Sequence, residues 1–249
     1  MKIFATYSIK GGVGKTASAV NLSYLAARDG ARTLVWDLDP QGASSYYFRI
    51  KPKIKGGEKT ILRRKKNLDN FIKGTDYENL DLLPADFSYR NMDLTLRDAK
   101  KPTEAFTKLL QPLNEEYDYL FIDCPPSISL VSENVFKASQ LLLIPLIPTT
   151  LSLRTFAQVV KFCHTHDVGT LRMLPFFSMV DLRKKMHKEV MESLHQENPN
   201  ILKSYIPYAS VVEKMGIHRA AVGRFAGKQK AAMAYEALWN EIQERFSQE

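Results

Sequence analysis

Apolar residues in this chain gather in short, nearly unbroken runs. Residues 2–8, Thr33–Asp37, Leu80–Leu83, Tyr119–Asp123, Gln140–Ile144 and Leu171–Phe177 read as six strands. Runs without strict alternation mark strands buried on both faces. A glycine-rich turn over Ile9–Thr16 opens a helix that runs to Asp29 and ends at Gly30, and further helical patterns cover Thr103–Glu115, Ser129–Ala138, Leu153–His166 and Lys184–Gln196. Strands alternating with helices predict an α/β fold, a mainly parallel sheet with helices on both faces. In such sheets ligands sit at the carboxyl ends of the strands. One domain over residues 1–249 accommodates the pattern. There is no internal repeat, and Ser45–Lys66, polar and glycine-containing, reads as an exposed loop.

Charge singles out that same segment. The chain carries a net charge of +8. Between Arg49 and Lys66, nine cations stand against Glu58 alone, an excess equal to that of the whole chain. A basic surface of this kind suits nucleic acid or, equally, an acidic partner protein. The longest apolar stretch, Leu141–Ile147, contains Pro145 and falls far short of the roughly 18 residues of a membrane-spanning helix. No signal peptide is recognisable, and the two cysteines, Cys124 and Cys163, lack metal-site spacing, so a cytoplasmic protein is expected. With the first strand starting at residue 2, no helix-turn-helix module is expected ahead of it.

The glycine-rich turn holds the most specific chemistry. Lys10-Gly11-Gly12-Val13-Gly14-Lys15-Thr16 fits a relaxed Walker A pattern, placed between a strand and a helix as phosphate binding requires. Glycines let backbone N–H groups wrap a phosphate; Lys15 reaches the β/γ oxygens, and the Thr16 hydroxyl can ligate magnesium. The cofactor loop thus spans Gly11 to Ala17. Lys10 is surplus to phosphate binding within one chain. At the loop's entrance it is placed to cross a two-fold interface and reach a partner's phosphates, as an arginine finger does.

These residues, followed by Val35-Trp36-Asp37-Leu38-Asp39-Pro40-Gln41-Gly42 and by Tyr117-Asp118-Tyr119-Leu120-Phe121-Ile122-Asp123-Cys124-Pro125-Pro126, resemble the ParA/MinD family of deviant Walker A ATPases, the ParA branch in particular. The resemblance runs from Met1 to about Trp239 and implies a P-loop NTPase fold with ATP and Mg2+ as cofactors. By it, Lys10 is the signature lysine acting in trans in an ATP-sandwich homodimer, and Lys15 and Thr16 hold phosphate and metal. Asp39 positions the attacking water, Asp37 supports magnesium, and Asp123 is the Walker B acid. Ser178 and Pro207 fall in the loops that hold adenine, with Ser178 where many members carry asparagine. Phosphoryl transfer needs charge neutralisation and an aligned water, which this set supplies.

Three uses of such an engine compete. A ParA-like ATPase grips nonspecific double-stranded DNA when ATP-dimerised, and the resemblance places that surface at Lys214, Arg219, Arg224, Lys228 and Lys230. A MinD-like membrane switch would need a basic amphipathic tail. The apolar stripe Tyr235, Leu238, Ile242 and Phe246 lies in a segment with four glutamates against Arg245, so the last helix is expected to pack on the domain. An iron–sulfur reductase would need exposed cysteines, whereas Cys124 and Cys163 sit in apolar runs and read as buried. The first use is the expectation. It brings a ParB-like or adaptor protein that stimulates slow hydrolysis, nucleoid association in the ATP state, and no stable membrane insertion. The cargo is a plasmid or chromosome region, or else a protein assembly such as a carboxysome or chemoreceptor cluster.

Overall fold

The computed structural model describes residues 1–63, 67–166, 168 and 170–247. Its elements in order are β1 (Lys2–Thr6), α1 (Lys15–Arg28), β2 (Thr33–Asp37), α2 (Ala43–Tyr47), α3 (Gly57–Leu62), β3 (Lys73–Gly74), β4 (Leu80–Leu83), α4 (Met92–Arg97), α5 (Ala105–Leu110), β5 (Tyr119–Asp123), α6 (Leu130–Ala138), β6 (Leu141–Leu146), α7 (Thr150–Thr165), β7 (Arg172–Phe177), α8 (Lys185–Glu197), α9 (Ser210–Glu213), α10 (Met215–His218), α11 (Val222–Ala226) and α12 (Lys230–Ser247). The sheet order is β3-β4-β2-β5-β1-β6-β7, and every neighbouring pair is parallel except β3 with β4.

Alternation along the strands sorts the core into two layers. Ile3, Ala5 and Tyr7 face one side with Trp36 and Ile122, under α5, α6 and α7; Phe4, Val35 and Phe121 face the other, under α1 and α12. After β1 the chain moves toward β2 and β4, and after β5 it passes to β6 and β7. The loops following β1, β2 and β5 therefore meet at one end of the sheet, where the strand order switches direction and ligands find a crevice.

Helix α1, which carries the glycine-rich turn, is tied down by Asn21. This fully buried side chain accepts the Val222 N–H at 2.8 Å and donates to the Ala17 carbonyl at 2.7 Å. Replacing it with alanine leaves the Val222 N–H buried without a partner, a cost of about 1–3 kcal/mol. Asn21→Ala should accordingly lower the urea midpoint of unfolding; an unchanged midpoint would show that Val222 finds another acceptor.

The structure corrects three expectations. Ser45–Lys66 is not simply an exposed loop: its described part holds the end of α2 and all of α3, with Phe48, Ile54 and Ile61 buried. These apolar residues are spaced too irregularly to show a period among so many lysines. Arg64, Lys65 and Lys66 lie outside the described residues. The helix expected over Thr103–Glu115 is α5 followed by a tighter turn over Gln111–Glu115, because Pro112 supplies no N–H to continue the α-helical ladder. A seventh strand, β3, adds an antiparallel edge. As expected, Tyr235, Leu238 and Ile242 of α12 are buried against the domain, and both cysteines are buried. No described helix is long and apolar enough to cross a membrane.

Candidate functional site

The turn between β1 and α1 is shaped by its glycines. Gly12 and Gly14 have φ of 71° and 96°, a left-handed region that side-chained residues rarely adopt. A Cβ on Gly14 would lie 2.9 Å from the Ser178 hydroxyl, so this turn also touches the loop after β7. Val13 is fully buried and pins the turn from beneath. The first α-helical bond of α1 runs from Ser18 N–H to the Gly14 carbonyl at 2.9 Å. The N–H groups of Lys15, Thr16 and Ala17 are left without intrahelical acceptors, which makes the helix start an anion site.

Lys15 is 7% exposed, and its Nζ makes one long contact of 3.4 Å to the Lys10 carbonyl. Burial pushes its pKa down, against the attraction of Asp123. Such a group gains more from a phosphate than a solvated lysine does, since most of its dehydration has already occurred.

Behind the turn, Asp37 and Asp123 are cross-strand neighbours at the ends of β2 and β5, both fully buried. Asp37 Oδ2 accepts the N–H and the hydroxyl of Ser45, each at 2.7 Å, and Asp123 Oδ2 accepts the Ser44 hydroxyl at 2.8 Å. The Oδ1 atom of each has no hydrogen-bond partner. Burial first, then repulsion from nearby carboxylates, raises both pKa values, while the serine hydroxyls and Thr16 oppose the rise. Two dehydrated carboxylates, each with an idle oxygen and one of them, Asp123, near Thr16, fit a hydrated divalent cation. Neither Ser44 nor Ser45 was singled out from the sequence, because a serine pair in a polar stretch carries no signature.

Asp39 stands forward of this pair. Its Oδ1 accepts the Gln41 N–H and its carbonyl the Gly42 N–H, both at 2.9 Å, and its side chain lines a cavity of about 370 Å³. Gly11, Gly12, Gly14, Lys15, Thr16 and Ala17 line the same end. Ser178 and Pro207, the expected base-loop residues, line the cavity too, with the Ser178 hydroxyl against Gly14. Three backbone bonds hold those loops together: Ile206 N–H to Phe177 O at 2.9 Å, Val180 N–H to Ile206 O at 3.0 Å, and Tyr208 N–H to Val180 O at 2.9 Å. The zipper adds Met179, Ile206 and Tyr208 to the lining, with Tyr47 and Tyr235 from α2 and α12. Met179 and Ile206 fall in the loops that the resemblance marks for adenine, whereas Tyr208, Tyr47 and Tyr235 were not expected at the site from the sequence.

Other predicted residues stand apart from the cavity. Lys10 is half-buried, is not among the residues lining the cavity, and forms no ion pair with a described residue. Lys214, Arg224, Lys228 and Lys230 are exposed on the α9–α12 side. Arg219 is half-buried: its Nε donates to the Tyr46 carbonyl at 2.9 Å and its guanidinium lies 4.6 Å above the Tyr46 ring. Helix α2 therefore holds Asp37 and Asp123 through its serines, and Arg219 through Tyr46.

Comparison with known proteins gives this geometry its relatives. A family model described as an AAA domain matches residues 1–171. The chain is 29% identical to the sporulation initiation inhibitor protein Soj of Bacillus subtilis, covering 97% of this chain and 98% of that protein. It is also 29% identical to the chromosome-partitioning ATPase Soj of Treponema pallidum, over 96% of each. Among solved structures, a putative plasmid partition protein from Borrelia burgdorferi bound to AMPPNP superposes with a TM-score of 0.86 at 23% identity, covering 98% of this chain and 99% of that one.

Proposed function

The chain belongs to the AAA-domain family and, within it, to the ParA/MinD ATPases, and from that premise we propose that it is an ATP-hydrolysing partition or positioning protein. The observation that carries this reading is the single cavity that runs from Lys15, Thr16 and Asp39 to the zipped loops at Ser178 and Pro207. Its volume of about 370 Å³ falls in the range of small-ligand pockets. The N–H groups at the start of α1 and Lys15 would hold the triphosphate, and the loops around Ser178 and Pro207 would hold the base. Magnesium, when bound, supplies charge neutralisation at the phosphates; Thr16 would ligate it, with Asp37 and Asp123 reaching it through water. Asp39 orients the attacking water.

In the ATP state two chains close face to face, Lys10 of each reaching the partner's phosphates. That dimer grips nonspecific double-stranded DNA through Lys214, Arg219, Arg224, Lys228 and Lys230. Hydrolysis, stimulated by a ParB-like or adaptor protein, removes the γ-phosphate that holds the dimer together and releases the DNA. Nucleoid association in the ATP state and transport of a plasmid or chromosome region follow from that cycle.

The test is binding to random-sequence duplex DNA with no nucleotide, ADP or ATP across a salt series. Binding should appear only with ATP, vanish in Lys10→Ala, and fall with salt. Lys214→Ala and Arg224→Ala should each reduce the salt slope by about one unit. ATP-independent binding, or slopes untouched by these substitutions, would overturn the assignment of the DNA surface.

A further inference from the structure

A second concavity, of about 800 Å³, lies at the β3 edge of the sheet, and nothing in the ATPase cycle above uses it. One wall is the stretch of residues 50–56, and the other is β3. Lys51, Lys53 and Lys55 project from the first wall and Lys73 from the second. All four are exposed, and none forms an ion pair with a described residue.

The nearby carboxylates are already engaged within the fold. Asp86 accepts the Ile54 N–H at 2.7 Å through Oδ2 and the Ser88 N–H at 2.9 Å through Oδ1, and these bonds, with Lys53 nearby, hold its pKa down against burial. Asp81 accepts the Tyr117 hydroxyl, and Asp76 pairs with Arg49. The cleft therefore presents four cations that form no ion pair with a described residue, while Asp81 and Asp86 nearby are tied to neutral donors. Its floor is apolar, made by Ile50, Ile54 and Pro84.

Two features choose among anionic partners. The lysines of the first wall occur at alternate positions of the sequence, Lys51 and Lys53 in irregular backbone and Lys55 in the turn before α3, and an extended polypeptide likewise presents every second side chain to one face. The opposite wall, β3, is the terminal strand of the sheet and pairs only with β4, so its outer edge is open to strand addition. A DNA duplex has no free backbone N–H and C=O ladder to pair with a strand edge. We propose that this cleft docks an extended acidic segment of a partner protein, with acids at alternate positions over Lys51, Lys53, Lys55 and Lys73, apolar residues between them, and backbone along β3.

The cleft is mechanically joined to the nucleotide site. Pro52 abuts Gly42, where an added Cβ would lie 2.8 Å from the proline, and Gly42 N–H bonds the Asp39 carbonyl. On the other side, Pro84 leads into Ala85, whose N–H donates to the Ser45 hydroxyl that holds Asp37. Resting on the ATPase reading above, docking therefore alters turnover by shifting the Asp39–Gly42 turn.

Fluorescence anisotropy on the full chain without nucleotide, using a dye-labelled Glu-Val-Glu-Val-Glu-Val-Glu peptide, tests the docking directly. The peptide should bind, weaken with salt, and lose at least tenfold affinity both in the Lys51→Ala/Lys53→Ala/Lys55→Ala variant and in Lys73→Glu. An isomer with its four glutamates in one block should bind several-fold more weakly. Circular dichroism of the variants should match the parent, since all four side chains are exposed. No binding, binding indifferent to these substitutions, or equal binding of the block isomer overturns the proposal. So does a triple variant that loses affinity for labelled duplex DNA instead of for the peptide. Phosphate release with saturating peptide reads the coupling separately: a change of at least twofold, absent in the triple variant, supports it, and unchanged turnover with intact peptide binding overturns the coupling alone. A chain that binds the peptide yet never hydrolyses ATP refutes the ATPase reading and leaves the docking site standing.

Discussion

Replacing Lys15 with alanine should abolish ATP binding without weakening the nucleotide-free fold. Loss of a lysine usually counts as neutral or destabilising, but this one is buried with a single long contact, and burial already disfavours its charged form. Removing it relieves an incompletely satisfied cation. With phosphate present the balance reverses, because hydrogen bonds from a charged donor are worth about 1.5–3 kcal/mol each and Lys15 has no substitute at this point of the cavity. Affinity should fall by at least roughly 100-fold. Thermal denaturation shows both halves at once. At ATP about 100 times Kd, the parent gains about 2.7 kcal/mol, a rise of roughly 5–10 °C for a chain of this size. Lys15→Ala should show no such rise while its own midpoint stays at or above the parent's. A retained ATP-induced rise would remove Lys15 from the phosphate site.

The residues that make this prediction possible were legible in the sequence because phosphate binding is a local demand. It needs consecutive N–H groups, a backbone free to reach positive φ at Gly12 and Gly14, and a lysine one residue into the helix, all within seven positions. The strand-end acids were legible for a related reason: each closes an apolar run, so the sequence marks where the strand stops. Ser44 and Ser45 were not, since their role exists only because α2 folds back over the ends of β2 and β5. The base end of the cavity was half legible. Ser178, Met179, Ile206 and Pro207 fall in loops assigned by resemblance, but Tyr208 reaches the site through backbone pairing between segments nearly thirty residues apart. The basic stretch after Arg49 was misjudged for the opposite reason. Its charge was conspicuous, while the contacts that order it, Ile54 and Ile61 in the core and the Ile54 N–H on Asp86, leave no periodic trace.

Asp39→Ala should separate binding from chemistry. The side chain lines the cavity beside Lys15 and Thr16, yet its only bond to a described residue is the one from Gln41 N–H. Losing that bond costs about 0.5–1.5 kcal/mol, and Gln41 N–H is exposed enough for water to replace it. The phosphate loop, Lys15 and the Asp37–Asp123 pair are untouched, so ATP affinity should stay within about threefold of the parent. Turnover depends on holding one water in line with the γ-phosphate, and removing a preorganised group of this kind typically slows reaction about 100- to 1,000-fold. ATP-bound dimer should accumulate, visible by light scattering as a species that persists for hours where the parent's decays. Lys10→Ala gives the contrasting result. Its side chain is not among those lining its own cavity, so each chain should still bind ATP while the dimer fails to form. If Asp39→Ala hydrolyses ATP at the parent's rate, another group aligns the water and Asp39 is only the anchor of its turn. If it loses the dimer as well, Asp39 acts in closing the two chains, and the separation between holding ATP and consuming it lies elsewhere in the site.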